Sequence, residues 1–287
     1  MRRLGLRHVL CPVDVSSATS GALRVASAVA RARHAELRAL HVVPTEAAAT
    51  PSSLGALERQ ALMSRLRTSL GEVASSYDLV GAAVRKGDPA IQILRLARSM
   101  PADLIVMGAP GADRPERPMG PVTSVVVARS DCPVLTVPHL AGASDDTGFY
   151  RRIVCAIDLA PSSMSVVHQA LALAWESQGQ MTFVCVLPEG NSKAATARPR
   201  LLAVIPPEAS RWCQTEVLIV TGTPSKEIVR IAEEQHADLV VIGAPRRWTS
   251  TTHAVLSRSL CPVLVTHDAR PLPRPASSGR HNRVRSG

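Results

Sequence analysis

Two stretches decide the architecture: ADLIVMGAP at Ala102–Pro110 and ADLVVIGAP at Ala237–Pro245. Each is an unbroken apolar run of Leu, Ile, Val and Met that stops at Gly-Ala-Pro. Such a run, without polar alternation, reads as a parallel strand buried on both faces and closed by a turn. Working outward, VLCPVDVSS at Val9–Ser17 answers IVCAIDLAP at Ile153–Pro161, and CPVLTV at Cys132–Val137 answers CPVLVT at Cys261–Thr266. Cys11 stands over Cys155 and Asp14 over Asp158. The order of the three pairs is kept while their separation falls from 144 to 135 to 129 positions. The chain therefore carries one domain twice, the second copy shorter in its middle and again after its Gly-Ala-Pro.

In the first copy, strand-like runs at Val9–Val13, Leu37–Val43, Leu79–Arg85, Asp103–Met107 and Pro133–Val137 alternate with helical periodicity. Helices are expected at Ser20–Arg33, within Ser52–Ser75 on a face of Leu62, Leu66, Leu70 and Val73, and at Val122–Arg129. Asp88–Pro89 reads as an N-cap and first helical residue, opening a helix to about Ser99 on a face of Ile91, Leu94 and Ala97. The fold class is α/β: two tandem doubly wound domains, each a five-stranded parallel sheet flanked by helices. In the second copy Pro188, Pro199, Pro206 and Pro207 fall where the first has its long helix, so that helix is expected to be short, displaced or absent. The expected boundaries are 1–139 and 152–267 for the domains, 140–151 for a polar linker, and 268–287 for a basic tail of disordered composition.

Composition narrows the function. The net charge is +10, but the tail holds five arginines against Asp268, and aromatic residues make up only 2% of the chain. A surface that stacks bases has almost nothing to build with, which argues against nucleic acid as a partner. No run approaches a membrane span, and the first residues do not read as a secretory signal, so a cytoplasmic protein is expected. The six cysteines are far apart and mostly within or beside apolar runs, which reads as buried thiols rather than disulfides or zinc ligands. There is no G-x4-G-K-[ST] loop, G-x-S-x-G elbow or H-E-x-x-H helix.

In doubly wound sheets ligands sit beyond the carboxyl ends of the strands, where the strand order switches. That rim holds Asp14, Val42–Val43 and the loop opened by Gly108-Ala-Pro-Gly111, with Gly120 just ahead of a helix. Glycines there let backbone amides approach an anion, and a helix N-terminus adds partial positive charge. The alternative is that these glycines only serve tight turns. For Asp14 and Asp158 both ligand contact and local capping are open, with capping favoured for Asp158, whose copy has lost the glycine loop.

The duplicated pattern resembles the universal stress protein domain, present twice over about Leu6–Pro138 and Arg152–His267. The ATP-binding branch of that family carries G-x2-G-x9-G followed by Ser or Thr. Carried over, the resemblance implies adenine and ribose contacts at Asp14, Val42 and Met107, and a phosphate loop at Gly108, Gly111 and Gly120. This copy departs from the pattern: eight residues separate Gly111 from Gly120, and Pro121 stands where the hydroxyl residue belongs. Arg114 and Arg117 are candidate replacements for lost phosphate contacts. The second copy has Arg246 in place of the second glycine and Thr249–Ser250 at the Gly-Ser position, so it is not expected to bind ATP in the family's manner.

The resemblance implies a non-catalytic stress-response regulator gated by ATP or a related adenine nucleotide in the first domain. It also implies that Pro133–Val137 and Pro262–Thr266 meet edge to edge in an intrachain pseudo-dimer. A nucleotide-independent interaction scaffold and a slow nucleotide hydrolase are the competing readings. A homodimer of whole chains and an unknown protein partner are left open, with no membrane association and no metal expected.

Overall fold

In the computed structural model, residues 5–14, 20–45, 55–74, 80–109, 119–138, 150–158, 163–190, 194–244 and 249–267 are described. The first half supplies strands β1 (His8–Pro12), β2 (Glu36–Val43), β3 (Val80–Lys86), β4 (Leu104–Ala109) and β5 (Val134–Pro138). Between them lie helices α1 (Ser20–Arg33), α2 (Ala56–Ala74), α3 (Pro89–Ser99) and α4 (Pro121–Arg129). The second half repeats the order with β6 (Arg152–Ala156), α5 (Ser163–Ser177), β7 (Gln180–Leu187), α6 (Ala194–Val204), β8 (Gln214–Thr221), α7 (Pro224–Glu234), β9 (Leu239–Ala244), α8 (Ser250–Arg258) and β10 (Val263–His267).

All ten strands join one sheet in the order β3-β2-β1-β4-β5-β10-β9-β6-β7-β8. Pairing is parallel within each half, and β5 meets β10 antiparallel, Leu135 opposite Leu264. The apolar edges expected to associate do so, joining the halves across an approximate two-fold axis. Thr136 Oγ1 donates to Val263 O at 3.2 Å along this seam. On one face α1, α2, α5 and α6 cover a core that includes Leu37, Val106, Leu171 and Phe183; on the other α3, α4, α7 and α8 cover Leu10, Ile105, Val240 and Val263.

Among the described residues, further contacts tie the halves together besides the strand seam. Arg33, at the end of α1, places Nη2 2.8 Å from Glu176 Oε2 near the end of α5, and both side chains are 2% exposed. His267 Nε2 lies 2.7 Å from Val127 O. Tyr150, just before β6, is buried among leucines of both halves, and that burial raises its pKa.

The repeat extends to local backbone. Gly87 and Gly222, one residue short of the α3 and α7 caps, both have positive φ, 134° and 144°, a region open to glycine. Asp103 takes the amides of Arg7 and His8 at 2.8 and 3.0 Å, and Asp238 takes those of Arg151 and Arg152 at the same distances. The aspartate of each ADL stretch is thus a bracket that satisfies amides at the entry of the neighbouring strand.

Asp88 caps α3 as expected, its Oδ1 accepting from Ile91 N at 2.8 Å. The face of that helix differs from expectation in one residue. Ile91 is 47% exposed, and the buried face is Ala90, Ile93, Leu94, Leu96 and Ala97. One residue past Ala90, Ile91 is turned about a hundred degrees around the helix and leaves the core side. In α2, Leu66 is buried and Leu62 half-buried. The second copy's counterpart, α6, has 11 residues against 19 and carries Pro199 inside, followed by a single 3-10 turn at Pro207–Arg211. Among the described residues no helix is long and apolar enough to cross a membrane.

Candidate functional site

In each half the strand order switches between its first and fourth strands in sequence, where the chain turns from building outward on one side to the other, the place at which doubly wound sheets open a crevice. In the first half β1 ends at Pro12, and the turn that follows is braced by Val13 N donating to Leu40 O at 2.9 Å. His41 Nδ1 lies 3.0 Å from Val13 O. Asp14 emerges from this braced end and is exposed, and Val42, on the adjoining strand, is half-buried. Met107 is 5% exposed and belongs to the core layer beneath α3 and α4. Gly108 follows it at the exposed end of β4.

Gly120 is the N-cap of α4, and among the described residues no side chain caps that helix. Thr123 Oγ1, in the first turn of α4, donates to Gly108 O at 3.4 Å, so the helix start is held against the end of β4. Among the described residues, a β-carbon at Gly108 or Gly120 would meet nothing within 4 Å. No described side chain crowds these two glycines or caps the amides at the start of α4, a setting that fits an anion. Pro121 supplies no amide of its own and sits at the first helical position, where proline is preorganised for the turn. Gly111, Arg114 and Arg117 lie outside the described residues.

The second half contains a cavity of about 250 Å³ at the same place. Ala156, Ile157 and Asp158 at the end of β6 form one side, with Val184 and Val186 of β7 beside them. Ile228 of α7 and Ile242 of β9 complete an aliphatic slot. The polar rim is Asp158, Ser163, Thr249, Thr251 and Thr252. Ser163 Oγ donates to Asp158 Oδ1 at 2.6 Å, so Asp158 anchors the start of α5 as well as facing the cavity.

Position by position the two crevices correspond, Asp14 to Asp158, Val42 to Val186, Met107 to Ile242 and Gly108 to Gly243. They part at the helix start, where Thr249 replaces Gly120. Its Oγ1 accepts from Thr252 N at 3.2 Å and lies 2.9 Å from Thr252 Oγ1, capping α8. A β-carbon on Gly243 would come within 2.9 Å of Val166 Cγ2, so this glycine serves packing against α5. The threonine cap and Ser163 had a readable signal, a hydroxyl residue directly ahead of α8 and at the first position of α5; the wall formed by Pro224 and Ile228 did not. Arg246 lies outside the described residues.

The thiols near these crevices are unsuited to chemistry. Cys11 and Cys155 sit inside β1 and β6, both fully buried; burial pushes the Cys11 thiol up to about 12 and raises Cys155 as well. All six cysteines are free, five of them buried. Among the described residues no group of three or more His, Cys, Asp or Glu side chains could hold a metal ion.

A search of curated protein sequences returned no match. Among solved structures, a universal stress protein from Archaeoglobus fulgidus DSM 4304 superposes with a TM-score of 0.71 at 19% identity, over 92% of this chain and 97% of that one. A putative universal stress protein from Pseudomonas aeruginosa UCBPP-PA14 gives 0.66 at 17% identity, over 92% and 94%. A third, the universal stress protein from Archaeoglobus fulgidus in complex with dAMP, matches 41% of this chain and 98% of its own at 22% identity, with a TM-score of 0.36. The profile of the universal stress protein family matches residues 5–138 and again 149–267. This chain belongs to the universal stress protein family and carries the family's domain twice.

Proposed function

We propose that the first half binds ATP or a related adenine nucleotide, and that occupancy gates a non-catalytic, cytoplasmic regulatory role. Asp14, Val42 and Met107 would hold the base and ribose, and Gly108, Gly111 and Gly120 the phosphates. The observation that carries this reading is the pair of unobstructed glycines beside an uncapped helix start. Among the described residues nothing crowds a β-carbon at Gly108 or Gly120, which supports a phosphate approaching the first turn of α4, where the helix dipole favours negative charge. Family membership supports the adenine part.

Mass spectrometry of ligand released from freshly purified protein tests the reading. An adenine nucleotide at about one per chain is expected. Protein that carries none, and that takes up none when ATP is added, would favour an interaction scaffold instead.

A further inference from the structure

The outermost strand of the second half, β8, is an open edge. It ends the strand order, and among the described residues only β7 pairs with it. Its middle, Val217-Leu-Ile-Val220, is apolar and half-buried. Val217 and Ile219 pack against the core covered by α5 and α6, and Leu218 and Val220 against the core covered by α7 and α8. The opposite edge, β3, is blunted, since Gly81 weakens it and Arg85 and Lys86 end it. Between Glu216 and Thr221 the sequence of β8 has no glycine, proline or charge.

Two bonds fix which backbone groups of β8 face outward. Gln214 N donates to Gly179 O at 3.1 Å, and Gly222 N to Leu187 O at 2.9 Å. Along a parallel strand every second residue serves the same neighbour, so Glu216, Leu218 and Val220 also turn their amides and carbonyls toward β7. Thr215, Val217, Ile219 and Thr221 turn theirs away from the sheet.

The seam between the halves shows how such an edge is satisfied in this fold. Val134-Leu-Thr of β5 meets Val263-Leu-Val of β10 antiparallel, with Val134 opposite Val265, Leu135 opposite Leu264 and Thr136 opposite Val263. The phase is the same as in β8. Ile105 N donates to Pro133 O and Val240 N to Pro262 O, which turns Leu135 toward β4 and Leu264 toward β9 and leaves the flanking residues to bond across the seam. Val217-Leu-Ile of β8 repeats both the residue pattern and the phase.

We propose that β8 is a docking edge for a second copy of this chain, paired antiparallel about a two-fold axis at Leu218. Leu218 then faces Leu218 of the partner subunit, as Leu135 faces Leu264. The register sets every outward residue opposite another, Thr215 with Thr221 and Val217 with Ile219, for about eight hydrogen bonds in all. The contact is isologous and closes at two chains, with the blunted β3 edges at the ends of a continuous sheet. A strand edge lies at the small end of interfaces, so micromolar association is expected. The inference goes beyond the nucleotide reading of the first half and does not depend on it.

Sedimentation equilibrium of the full chain at concentrations up to about 200 μM tests it, and a mass twice the 30.5 kDa of one chain is expected. Thr215→Pro combined with Thr221→Pro removes two outward donors and no bond to β7, so this variant should sediment as one chain while unfolding at the parental urea concentration. Leu218→Cys gives a second reading that stands whether or not the proline variant folds. Residues directly opposite in a non-hydrogen-bonded antiparallel pair have Cα atoms about 4.5 Å apart, within the span of about 4.4–6.8 Å that a disulfide bridges. Mild oxidation should link two chains through position 218, identified by peptide mapping. The link should form at least about tenfold faster than in Glu216→Cys, whose counterpart sits four residues, about 14 Å, along the partner strand. A parent that stays one chain over the whole range overturns the proposal, as does a dimer that the folded proline variant retains or an absent link at 218. A mass that keeps rising with concentration also overturns it, because head-to-tail pairing of β8 on β3 does not close.

Discussion

Replacing Glu176 with alanine should cost more stability than removing an acid elsewhere on the molecule. Glu176 and Arg33 join the two halves from the ends of α5 and α1, 2.8 Å apart, with each side chain 2% exposed. Removing the carboxylate leaves a guanidinium buried without its counter-ion, a defect that costs about 3–5 kcal/mol, because the desolvation penalty of the remaining charge is no longer offset. For a chain of this size that is a fall in Tm of roughly 6–10 °C, taking about 2 °C per kcal/mol. The double variant Arg33→Met with Glu176→Leu removes both charges and should recover most of the loss or exceed the parent. Urea unfolding followed by circular dichroism gives the comparison, with Asp131→Ala as the control. That residue pairs with Arg98 at 2.7 Å, but both side chains are more than half exposed, so its loss should cost less than about 1 kcal/mol. A Glu176→Ala variant as stable as the Asp131→Ala control would refute the argument that this pair is electrostatically coupled and buried.

Gly179→Ala should destabilise by about 1–3 kcal/mol, because its β-carbon would fall 2.4 Å from Arg151 O, a backbone atom that cannot step aside; unfolding at parental urea concentration would contradict this. Native protein should resist thiol reagents at Cys11 and Cys155 until it is unfolded, and labelling followed by peptide mapping reads this directly. The same thiols set an alkaline trend. Their folded pKa values are raised, Cys11 to about 12 and Cys213 and Cys261 to about 11, so between about pH 8.5 and 11 the unfolded chain has lost protons that the folded chain keeps. Stability should therefore fall as pH rises through that window, and substituting Cys11 with alanine should shallow the slope of urea stability against pH.

Much of the fold could be read from the chain because packing and local chemistry agreed. The strand CPVL of each copy is apolar on both faces and so had to find a partner at its edge, which it does as β5 against β10. Asp88 followed by proline marked a helix start that its carboxylate does cap. The length of α6 followed from prolines that cannot sit deep in a long helix. Ile91 escaped because its spacing from Leu94 fits a helical period while the buried stripe is centred one residue away. The bracket made by Asp103 and Asp238 was visible only as a repeated letter, since its partners lie on a strand nearly a hundred residues distant. At the crevices, the glycines could be found by pattern. Thr249 could be read as a cap, because a hydroxyl residue stands directly ahead of α8, but its pairing with the Thr252 hydroxyl could not.

The central claim is that the first crevice is the phosphate-binding one. Calorimetric titration of the intact chain with ATP, repeated on Gly108→Val, tests it most directly. The account predicts one equivalent bound by the parent and none by the variant, with both unfolding at the same urea concentration. Two equivalents in the parent, or binding undiminished by the valine, would contradict it.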